Sequence, residues 1–260
     1  MFEDFTLLTS LQNPRVKQVV ALRDRRDREK TGLFLIEGYR ELLRAVDMGH
    51  PIGTLYICPE LFLGSNEPAL IQRIAARGAE VNCCSKAVFH KISYRDRPDG
   101  LIAVAPQRHR TLSDLEQMSK SQTSPFFVIA EGIEKPGNLG TILRSSDAVG
   151  LNGLIVADPC TDIHNPNVVR ASVGTLFTVP VIESSNEEAL QWLRKKSVLI
   201  LAATPSATKE YTEVDMTGPL AIAVGTEQLG LSDFWMEQAD IQVKIPMCGV
   251  ADSLNVAMAT

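Results

Sequence analysis

Hydrophobic and polar positions along this chain follow two alternating patterns, one typical of buried strands and the other of amphipathic helices. Short apolar runs, such as residues 32–36 and 126–130, predict buried strands. Between such runs, apolar side chains recur at helical spacing, as at Leu42, Leu43 and Val46, and predict helices. Strands that alternate with helices are typical of α/β proteins, so we expect an α/β fold in both parts of the chain.

The predicted elements fall into two groups separated by a stretch without apolar periodicity. The first group has a helix that opens at Asn13-Pro14 and carries the arginines after it, strands at 32–36, 54–57, 80–83 and 101–105, and helices around Leu42 and at 69–76 and 86–92. The second has strands at 126–130, 154–156, 177–181, 198–202, 220–224 and 241–245, and helices at 139–149, at 187–195 and near Ser253.

These groups predict the domain organisation. We expect a small N-terminal α/β sandwich at residues 1–108, a linker at 109–124, in which 112–118 could form a short helix, and a C-terminal α/β domain at 125–260. The near-continuous apolar strands of the second group favour a mostly parallel sheet there.

Composition narrows the classes of protein that the chain can belong to. Its 260 residues are 45% hydrophobic and 22% charged, which is ordinary globular composition. Its apolar runs are far shorter than the ~20 residues that span a bilayer. Glu3 and Asp4 stand where a secretory signal needs basic residues, so we expect a cytoplasmic protein without membrane partners. Five cysteines without C-x-x-C spacing and four scattered histidines predict reduced thiols and no metal site.

Charge is divided unevenly along the chain. Residues 1–110 carry 17 Lys and Arg against 13 Asp and Glu, whereas residues 111–260 carry 9 against 18. A candidate phosphate-contact strip of arginines lies in the basic part: Arg23, Arg25, Arg26 and Arg28. The alternative is a solvated helix face, since Asp24, Asp27 and Glu29 interleave with these arginines and could pair with them.

Several common signatures of catalysis are absent. No two glycines stand two positions apart, so G-x-G-x-x-G does not occur, and neither the P-loop pattern nor G-x-S-x-G is present. This disfavours dinucleotide enzymes, P-loop proteins and serine hydrolases.

Three segments instead follow predicted strands directly, where open α/β sheets bind ligands. They are residues 131–144, 223–232 and 245–257. In the first, Asn138 can cap a helix that places Arg144 among small side chains, with Val149 on its apolar face. Taken singly, each segment has a structural alternative: Asn138, Ser253 and Asn255 could be helix caps, Arg144 a surface charge, and 223–232 an ordinary loop.

Together, in this order and spacing, the three segments resemble the SpoU (TrmH-like) family of RNA ribose methyltransferases of the SPOUT class. The resemblance includes residues 170–177 and extends to residues 10–46, which look like the substrate-binding domain of many members, similar to a small ribosomal RNA-binding protein. It implies that the C-terminal domain is an α/β trefoil knot, that S-adenosylmethionine binds there, and that the substrate is structured rRNA or tRNA. It also implies a homodimer formed through the knot domain, where the family continues the helix that here ends at Thr260.

The resemblance further implies the residues of the site. Its catalytic positions match Asn138, Arg144, Glu227, Ser253 and Asn255. Its cofactor-binding positions match Ala203, Thr204, Gly225, Thr226, Glu227, Ile245, Met247, Leu254 and Asn255.

The reaction of this family suggests a role for each catalytic position. A ribose hydroxyl must attack the sulfonium methyl in line, so alignment and stabilisation of a developing alkoxide are needed. Arg144 can donate hydrogen bonds to that oxygen or to a neighbouring phosphate. Asn138, Ser253 and Asn255 could orient ribose or cofactor, while Glu227 would fix the loop or Arg144, with a direct role in proton transfer as its alternative. The alternative function is a non-catalytic RNA-binding or ribosome-associated module of the same fold.

Overall fold

The structure, a computed structural model, describes residues 5–260 of the chain. Its internal contacts divide into two compact units. The first comprises the described residues up to Arg108 together with Ile163–Thr178, and the second comprises His109–Asp162 and Val179–Thr260. Glu3 and Asp4, which argue against a secretory signal, lie outside the described residues. Within 5–260, every helix is too short or too polar to cross a lipid bilayer.

The elements follow one another in regular alternation. Up to Pro106 they are β1 (Thr6–Leu8), α1 (Pro14–Ala21), α2 (Arg25–Thr31), β2 (Leu33–Glu37), α3 (Tyr39–Asp47), β3 (Thr54–Ile57), α4 (Glu67–Ala75), β4 (Glu80–Cys84), α5 (Lys86–Ile92) and β5 (Leu101–Pro106). From there they are α6 (Leu112–Ser119), β6 (Phe126–Glu131), α7 (Pro136–Ala148), β7 (Gly153–Ala157), α8 (Pro166–Ser172), β8 (Val181–Ser184), α9 (Asn186–Lys195), β9 (Leu199–Ala203), β10 (Lys209–Glu210), β11 (Leu220–Val224), α10 (Asp233–Gln238), β12 (Ile241–Lys244) and α11 (Val256–Ala259).

The first unit is built on a mixed sheet. In the described residues its strand order is β1-β4-β3-β5-β2, with β5 antiparallel to both of its neighbours. α1 and α5 pack their apolar faces on one side of this sheet, where Val16, Val19, Phe89 and Ile92 are buried. α8 belongs to the same unit and lies against β2. The predicted α/β class of the N-terminal domain is thereby confirmed.

The helix predicted to run from Asn13 through the arginines is wrong as a single element. α1 ends at Ala21, and Asp24 then caps a second helix by accepting a hydrogen bond from the backbone amide of Arg26 at 3.2 Å. Aspartate favours this capping position because its carboxylate satisfies an otherwise unpaired amide of the first turn. The arginines therefore do not share one continuous helix face.

The second unit is built on a parallel sheet, as predicted. Its strand order in the described residues is β10-β12-β9-β11-β6-β7-β8, and every pair of neighbours is parallel. β6 and β7 are buried almost throughout, because helices cover both faces of such a sheet. The trefoil crossing of the chain that the family resemblance implies stays a prediction.

Residues 109–124, predicted as a linker, contribute to the core of the second unit. α6 begins with a capping box between Thr111 and Asp114, and its Leu115 is fully buried. Leu115 packs so closely over Gly153 that a Cβ there would lie 2.5 Å from the leucine Cδ1. Most side chains of this short helix are polar and exposed, and its buried residues are Leu115 and Ser119. A single buried apolar side chain gives little periodic signal in the sequence.

The strand predicted at 177–181 begins only at Val181. Residues before it form consecutive turns, in which the amides of Thr175 and Thr178 donate to the carbonyl oxygens of Ser172 and Thr175 at 3.0 and 3.1 Å. Phe177 is apolar because its ring packs in the first unit, with its centroid 5.1 Å from that of His50. From the sequence alone, an apolar residue that lies in a turn and packs against other elements cannot be distinguished from a residue of a buried strand.

Candidate active site and cofactor-binding loops

The carboxyl ends of four neighbouring strands define the candidate site in the second unit. β12, β9, β11 and β6 are adjacent and parallel, so the chain leaves all four at the same edge of the sheet. Thr204, Gly225 and Ile245 directly follow β9, β11 and β12. Ligands of open α/β sheets bind at such an edge. The three segments identified in the sequence all begin here.

Gly225 opens a very tight loop after β11. A Cβ at this position would lie 2.1 Å from the carbonyl oxygen of Gly230, so only glycine fits without a shift of the backbone. Thr226 and Gly230 close the loop by exchanging backbone hydrogen bonds of 2.9 and 3.1 Å. Leu229 at the tip is 88% exposed. The loop therefore has a fixed base, from which Glu227 projects.

Asn138 is not the cap of α7, contrary to the sequence prediction. The helix begins at Pro136, so Asn138 lies within its first turn. Its side-chain amide donates to Oε1 of Glu227 at 2.5 Å, an interaction that joins the first and second sequence segments. The predicted apolar position Val149 lies just beyond the helix and is 64% exposed.

Glu227 forms the centre of a polar cluster drawn from all three segments. Its Oε1 accepts hydrogen bonds from the amide groups of Asn138 and Asn255, each at 2.5 Å. Its Oε2 forms an ion pair with the ammonium of Lys135. Hydrogen bonding to Lys135, followed by that to Asn138, lowers the pKa of the Glu227 carboxyl below its ordinary value of 4.5. The cluster therefore contains a carboxylate that stays ionised at neutral pH.

Asn255 uses both ends of its amide group. Its Oδ1 accepts from the backbone amide of Ala257 at 3.0 Å and so caps α11. Its Nδ2 donates to Glu227 and also lies 3.3 Å from Oδ1 of Asn138. Capping and site formation, which are alternatives from the sequence, coexist in this one side chain, since an amide carries both an acceptor and two donors.

Two predicted catalytic residues make no hydrogen bond to this cluster in the described structure. Arg144 is exposed on α7 and makes no side-chain hydrogen bond or ion pair with any residue in the 5–260 range. Ser253 is exposed in the last loop and, among the same described residues, is likewise without a side-chain hydrogen bond. Of the two predicted roles of Glu227, fixing the loop or fixing Arg144, the second is not seen, because its carboxylate binds Lys135, Asn138 and Asn255 instead.

A buried hydrogen-bond network at the end of β6 was not predicted from the sequence. Glu131, at the end of β6, is 6% exposed and accepts from the amide and hydroxyl of Ser232 at 2.8 and 2.6 Å. Asn186 donates to Glu131 at 2.9 Å and to Asp158 at 2.6 Å, and accepts from the Trp235 indole at 2.6 Å. The network anchors the far end of the 223–232 segment to β6. A carboxylate that ends an apolar strand was its only signal in the sequence.

The remaining cofactor-binding candidates lie on the last loop and at the end of β9. Residues 246–254 are mostly exposed, and within the described structure their backbone amides and carbonyls form no hydrogen bonds with other backbone groups. Ile245 and Leu254 are 37% and 43% exposed, and Met247, Ala203 and Thr204 are half-buried. Free main-chain donors and acceptors beside apolar side chains fit S-adenosylmethionine, which presents both polar edges and apolar surface.

Most arginines of the strip in the first unit bind other groups of the protein. Arg28 is 1% exposed and donates to the carbonyl oxygens of Leu22 and Arg23 at 3.0 and 2.8 Å. Arg23 donates to the backbone carbonyls of Lys91 and Ser93 at the end of α5, and Arg25 pairs with Glu29 at 2.7 Å. The prediction of a four-arginine RNA surface is therefore corrected at Arg28, which is buried because its guanidinium ties α2 to the end of α1.

Comparisons with known proteins agree with this geometry. Residues 125–260 match the model of the SpoU rRNA methylase family, and residues 13–103 match that of an MRM3-like substrate-binding domain. An uncharacterised tRNA/rRNA methyltransferase of Synechocystis sp. is 31% identical over 98% of this chain and 91% of its own length. The 23S rRNA (uridine(2479)-2′-O)-methyltransferase of Streptomyces viridochromogenes is 29% identical over 95% of this chain and 87% of its own.

A solved structure extends the likeness to the whole fold. The AdoMet-bound rRNA methyltransferase from Sinorhizobium meliloti has a TM-score of 0.88 and 32% identity to this chain, covering 98% of it and 94% of the other. The family model spans the three segments whose side chains meet at Glu227. The chain therefore belongs to the SpoU rRNA methylase family.

Proposed function

We propose that this protein methylates a ribose 2′-hydroxyl in ribosomal or transfer RNA with S-adenosylmethionine as the methyl donor. The observation that carries the proposal is the convergence of Asn138, Glu227 and Asn255, from three separate segments, at the edge of the parallel sheet. The named relatives, a 23S rRNA 2′-O-methyltransferase and an AdoMet-bound rRNA methyltransferase, support the same reaction.

The chemistry requires little covalent participation of the protein. S-adenosylmethionine supplies an electrophilic methyl group, and the products are 2′-O-methylribose, S-adenosylhomocysteine and a proton. A C–O bond forms as the C–S bond breaks, while the hydroxyl proton passes to water. The chain must therefore hold two partners in line and stabilise negative charge on the attacking oxygen.

Arg144 is the residue proposed to stabilise that negative charge. Its guanidinium is exposed and free of partners in the described structure, so it can donate several hydrogen bonds to the ribose oxygen or to a neighbouring phosphate. A guanidinium has several donors and no acceptor, so Arg144 acts through its charge and its hydrogen bonds rather than as a base. Exposed Ser253 could position ribose or cofactor from the last loop.

The Glu227 cluster has a positioning role in this proposal. By binding Asn138 and Asn255 through one oxygen and Lys135 through the other, the carboxylate holds the start of α7 against the start of α11. The loop 246–254, the turn at Gly225 and the end of β9 at Ala203 and Thr204 then provide the cofactor contacts. Pre-arranged loops of this kind reduce the entropy lost when the cofactor binds.

The organisation of the chain follows from the same proposal. Residues 125–260 form the methyltransferase domain and residues 1–108 the RNA substrate-binding domain, in agreement with the two family models. Residues 163–178 pack with the substrate-binding unit although they lie within the methyltransferase range. Ribosomal and transfer RNA as substrates favour a cytoplasmic location.

A homodimer is the finer part of the proposal. Among the exposed apolar side chains of the second unit are one just after α7 and three in its last segment: Val149 at 64%, Val250 at 107%, Leu254 at 43% and Met258 at 74% exposed. Exposed apolar residues near one site are typical of an interface. Analytical ultracentrifugation should find a dimer, and Met258→Glu should shift it towards monomer.

The experiment that tests the activity uses the purified chain, tritiated S-adenosylmethionine and unmodified transcripts of 23S rRNA and tRNA. We expect label in RNA at a nucleotide whose 3′ phosphodiester bond becomes resistant to alkali, because 2′-O-methylation removes the internal nucleophile. RNA binding without any methyl transfer by the wild-type chain would favour a non-catalytic module instead.

A further inference from the structure

The first unit contains a cavity of about 840 Å³ that none of the roles above uses. Among the residues that line it are three exposed arginines, Arg40, Arg97 and Arg170, which we call the arginine cleft. None of the three forms a side-chain hydrogen bond or ion pair with another residue in the described part of the chain. Their charges therefore face solvent unopposed by direct partners.

All three arginines are anchored around β2. Arg40 lies in the first turn of α3, which directly follows β2, and Arg170 lies on α8, which packs against β2. Arg97 lies on the segment before β5, which Glu37 holds in place by accepting from the amide of Tyr94 at 2.8 Å. Because their backbones are held by elements that contact β2, an edge strand of the sheet, the three guanidiniums form a pre-arranged group rather than a chance gathering of mobile side chains.

The acidic residues of the cleft are mostly withdrawn from its surface. Glu41 is buried and pairs with Arg95 at 2.5 Å. Burial raises the pKa of the Glu41 carboxyl, and the charge of Arg95 lowers it less strongly. Asp99 accepts from the backbone amide of Tyr39 at 2.9 Å, and the buried Glu67 accepts from a neighbouring amide at 2.8 Å. Asp96 is the exposed carboxylate in this lining, so the solvent-facing charge is positive.

The arginine strip offers less charge to a partner than the cleft. Arg28 is buried, Arg23 is bound to backbone carbonyls, and Arg25 is paired with Glu29. Arg26 is exposed, but it lies beside the acidic residues of α2. An arginine that is already paired must lose its carboxylate before it gains a phosphate, and it releases fewer counterions from RNA.

We propose that the arginine cleft, rather than the strip, is the main surface by which the first unit binds the phosphate backbone of RNA. The inference rests on the proposed function for the RNA substrate and deepens it by naming the contact surface. A cavity of about 840 Å³ is much larger than one small anion, so its three free guanidiniums can contact more than one phosphate of a chain. Guanidinium groups bind phosphate oxygens in a bidentate manner.

The test compares two variants that lose the same charge. Arg40, Arg97 and Arg170 are replaced by alanine in one, and Arg25, Arg26 and Lys30 in the other, since all six side chains are exposed. The affinity for purified bacterial 23S rRNA is measured from 0.1 to 1 M salt. Each lost phosphate contact reduces the magnitude of the slope of log affinity against log salt by roughly 0.7–0.9. The slope of the cleft variant should therefore be smaller by about 2, and that of the strip variant should change much less. If the cleft variant and the wild type bind RNA equally at 1 M salt, a slope smaller by about 2 makes the variant bind about 100-fold more weakly than the wild type at 0.1 M salt.

Two further variants separate charge from structure. Lysines at Arg40, Arg97 and Arg170 keep the charges and should keep most of the slope, whereas Asp96→Asn removes a repelling carboxylate and should tighten RNA binding. Neither result is expected if the arginines only support the fold. Circular dichroism and S-adenosylmethionine affinity should be the same in all variants.

The outcomes discriminate between the inference and the function on which it rests. An unchanged slope in the cleft variant, or equal losses in the cleft and strip variants, overturns the inference while methyl transfer by the wild-type chain still supports the function. A reduced slope in the cleft variant together with a wild-type chain that methylates no RNA leaves the cleft as an RNA surface and overturns the function.

Discussion

The side-chain amide of Asn255 lies 2.5 Å from Oε1 of Glu227, although 28 residues separate them in the chain. The same carboxylate oxygen accepts from Asn138, which is 89 residues from Glu227. One carboxylate thus joins the start of α7 to the cap of α11. Its ionisation state should therefore govern how firmly the last loop is held.

The first prediction concerns the pH dependence of this cluster. The pKa of Glu227 is lowered in the folded state, so its ionised form contributes stability that is fully present above the unfolded value of about 4.5 and is lost as the pH falls through the folded-state pKa. Glu227→Gln removes that contribution. The difference in free energy of unfolding between wild type and Glu227→Gln should be largest at neutral pH and shrink below pH 4.5.

Urea denaturation at a series of pH values measures this difference. Glu187→Gln is the matched control, because Glu187 is exposed on α9 without a side-chain hydrogen bond in the described residues. A difference for Glu227→Gln that stays constant down to pH 3, or that matches the Glu187→Gln control, would contradict the prediction.

The second prediction concerns Arg144. Arg144→Ala should reduce kcat roughly 100- to 1,000-fold and leave S-adenosylmethionine affinity nearly unchanged, because the guanidinium stabilises charge that develops mainly in the transition state. Arg144→Lys should also fail, since an ammonium lacks the planar fork of donors. Lys195→Ala, which removes one exposed charge elsewhere in the second unit, is the control. Normal turnover by either Arg144 variant in single-turnover assays would refute the role.

The third prediction uses the cysteines as reporters of cofactor binding. Cys248 is exposed in the loop 246–254, and Cys160 is exposed outside it. Saturating S-adenosylmethionine should slow alkylation of Cys248 by iodoacetamide about tenfold or more and leave Cys160 unchanged, as followed by mass spectrometry of the peptides. Burial keeps Cys58, Cys83 and Cys84 slow in both states and raises the pKa of Cys84 to about 12. Equal protection of both exposed thiols would point to a general effect rather than to binding at this loop.

The fourth prediction concerns the turn after β11. Gly225→Ala places a Cβ 2.1 Å from the carbonyl oxygen of Gly230, so the loop backbone must shift. Overpacking of this kind costs about 1–3 kcal/mol, and we expect S-adenosylmethionine affinity to fall at least tenfold by calorimetry. Gly218→Ala, where a Cβ meets open space, should leave affinity and Tm unchanged. Wild-type affinity in a folded Gly225→Ala protein would remove this loop from the cofactor site.

Local sequence patterns alone predict many of the helices and strands. β3, β11 and α5 begin and end at the predicted residues, and a capping box of Ser185 and Glu188 starts α9 within one residue of the predicted helix. Apolar runs between turn residues have few alternatives to a buried strand, and a side-chain cap acts on amides two or three residues away. The order of the three segments also placed the candidate site at one sheet edge.

Tertiary contacts decided what local patterns could not. The sequence shows Arg28 and Arg26 as equivalent positions of one basic strip, yet burial makes Arg28 part of the core and leaves Arg26 in solvent. It shows Lys135 as one more charged residue, whereas the fold brings it to a carboxylate 92 positions away. Burial and long-range pairing depend on which elements become neighbours, and that information lies in the packing of the whole chain rather than in any stretch of it.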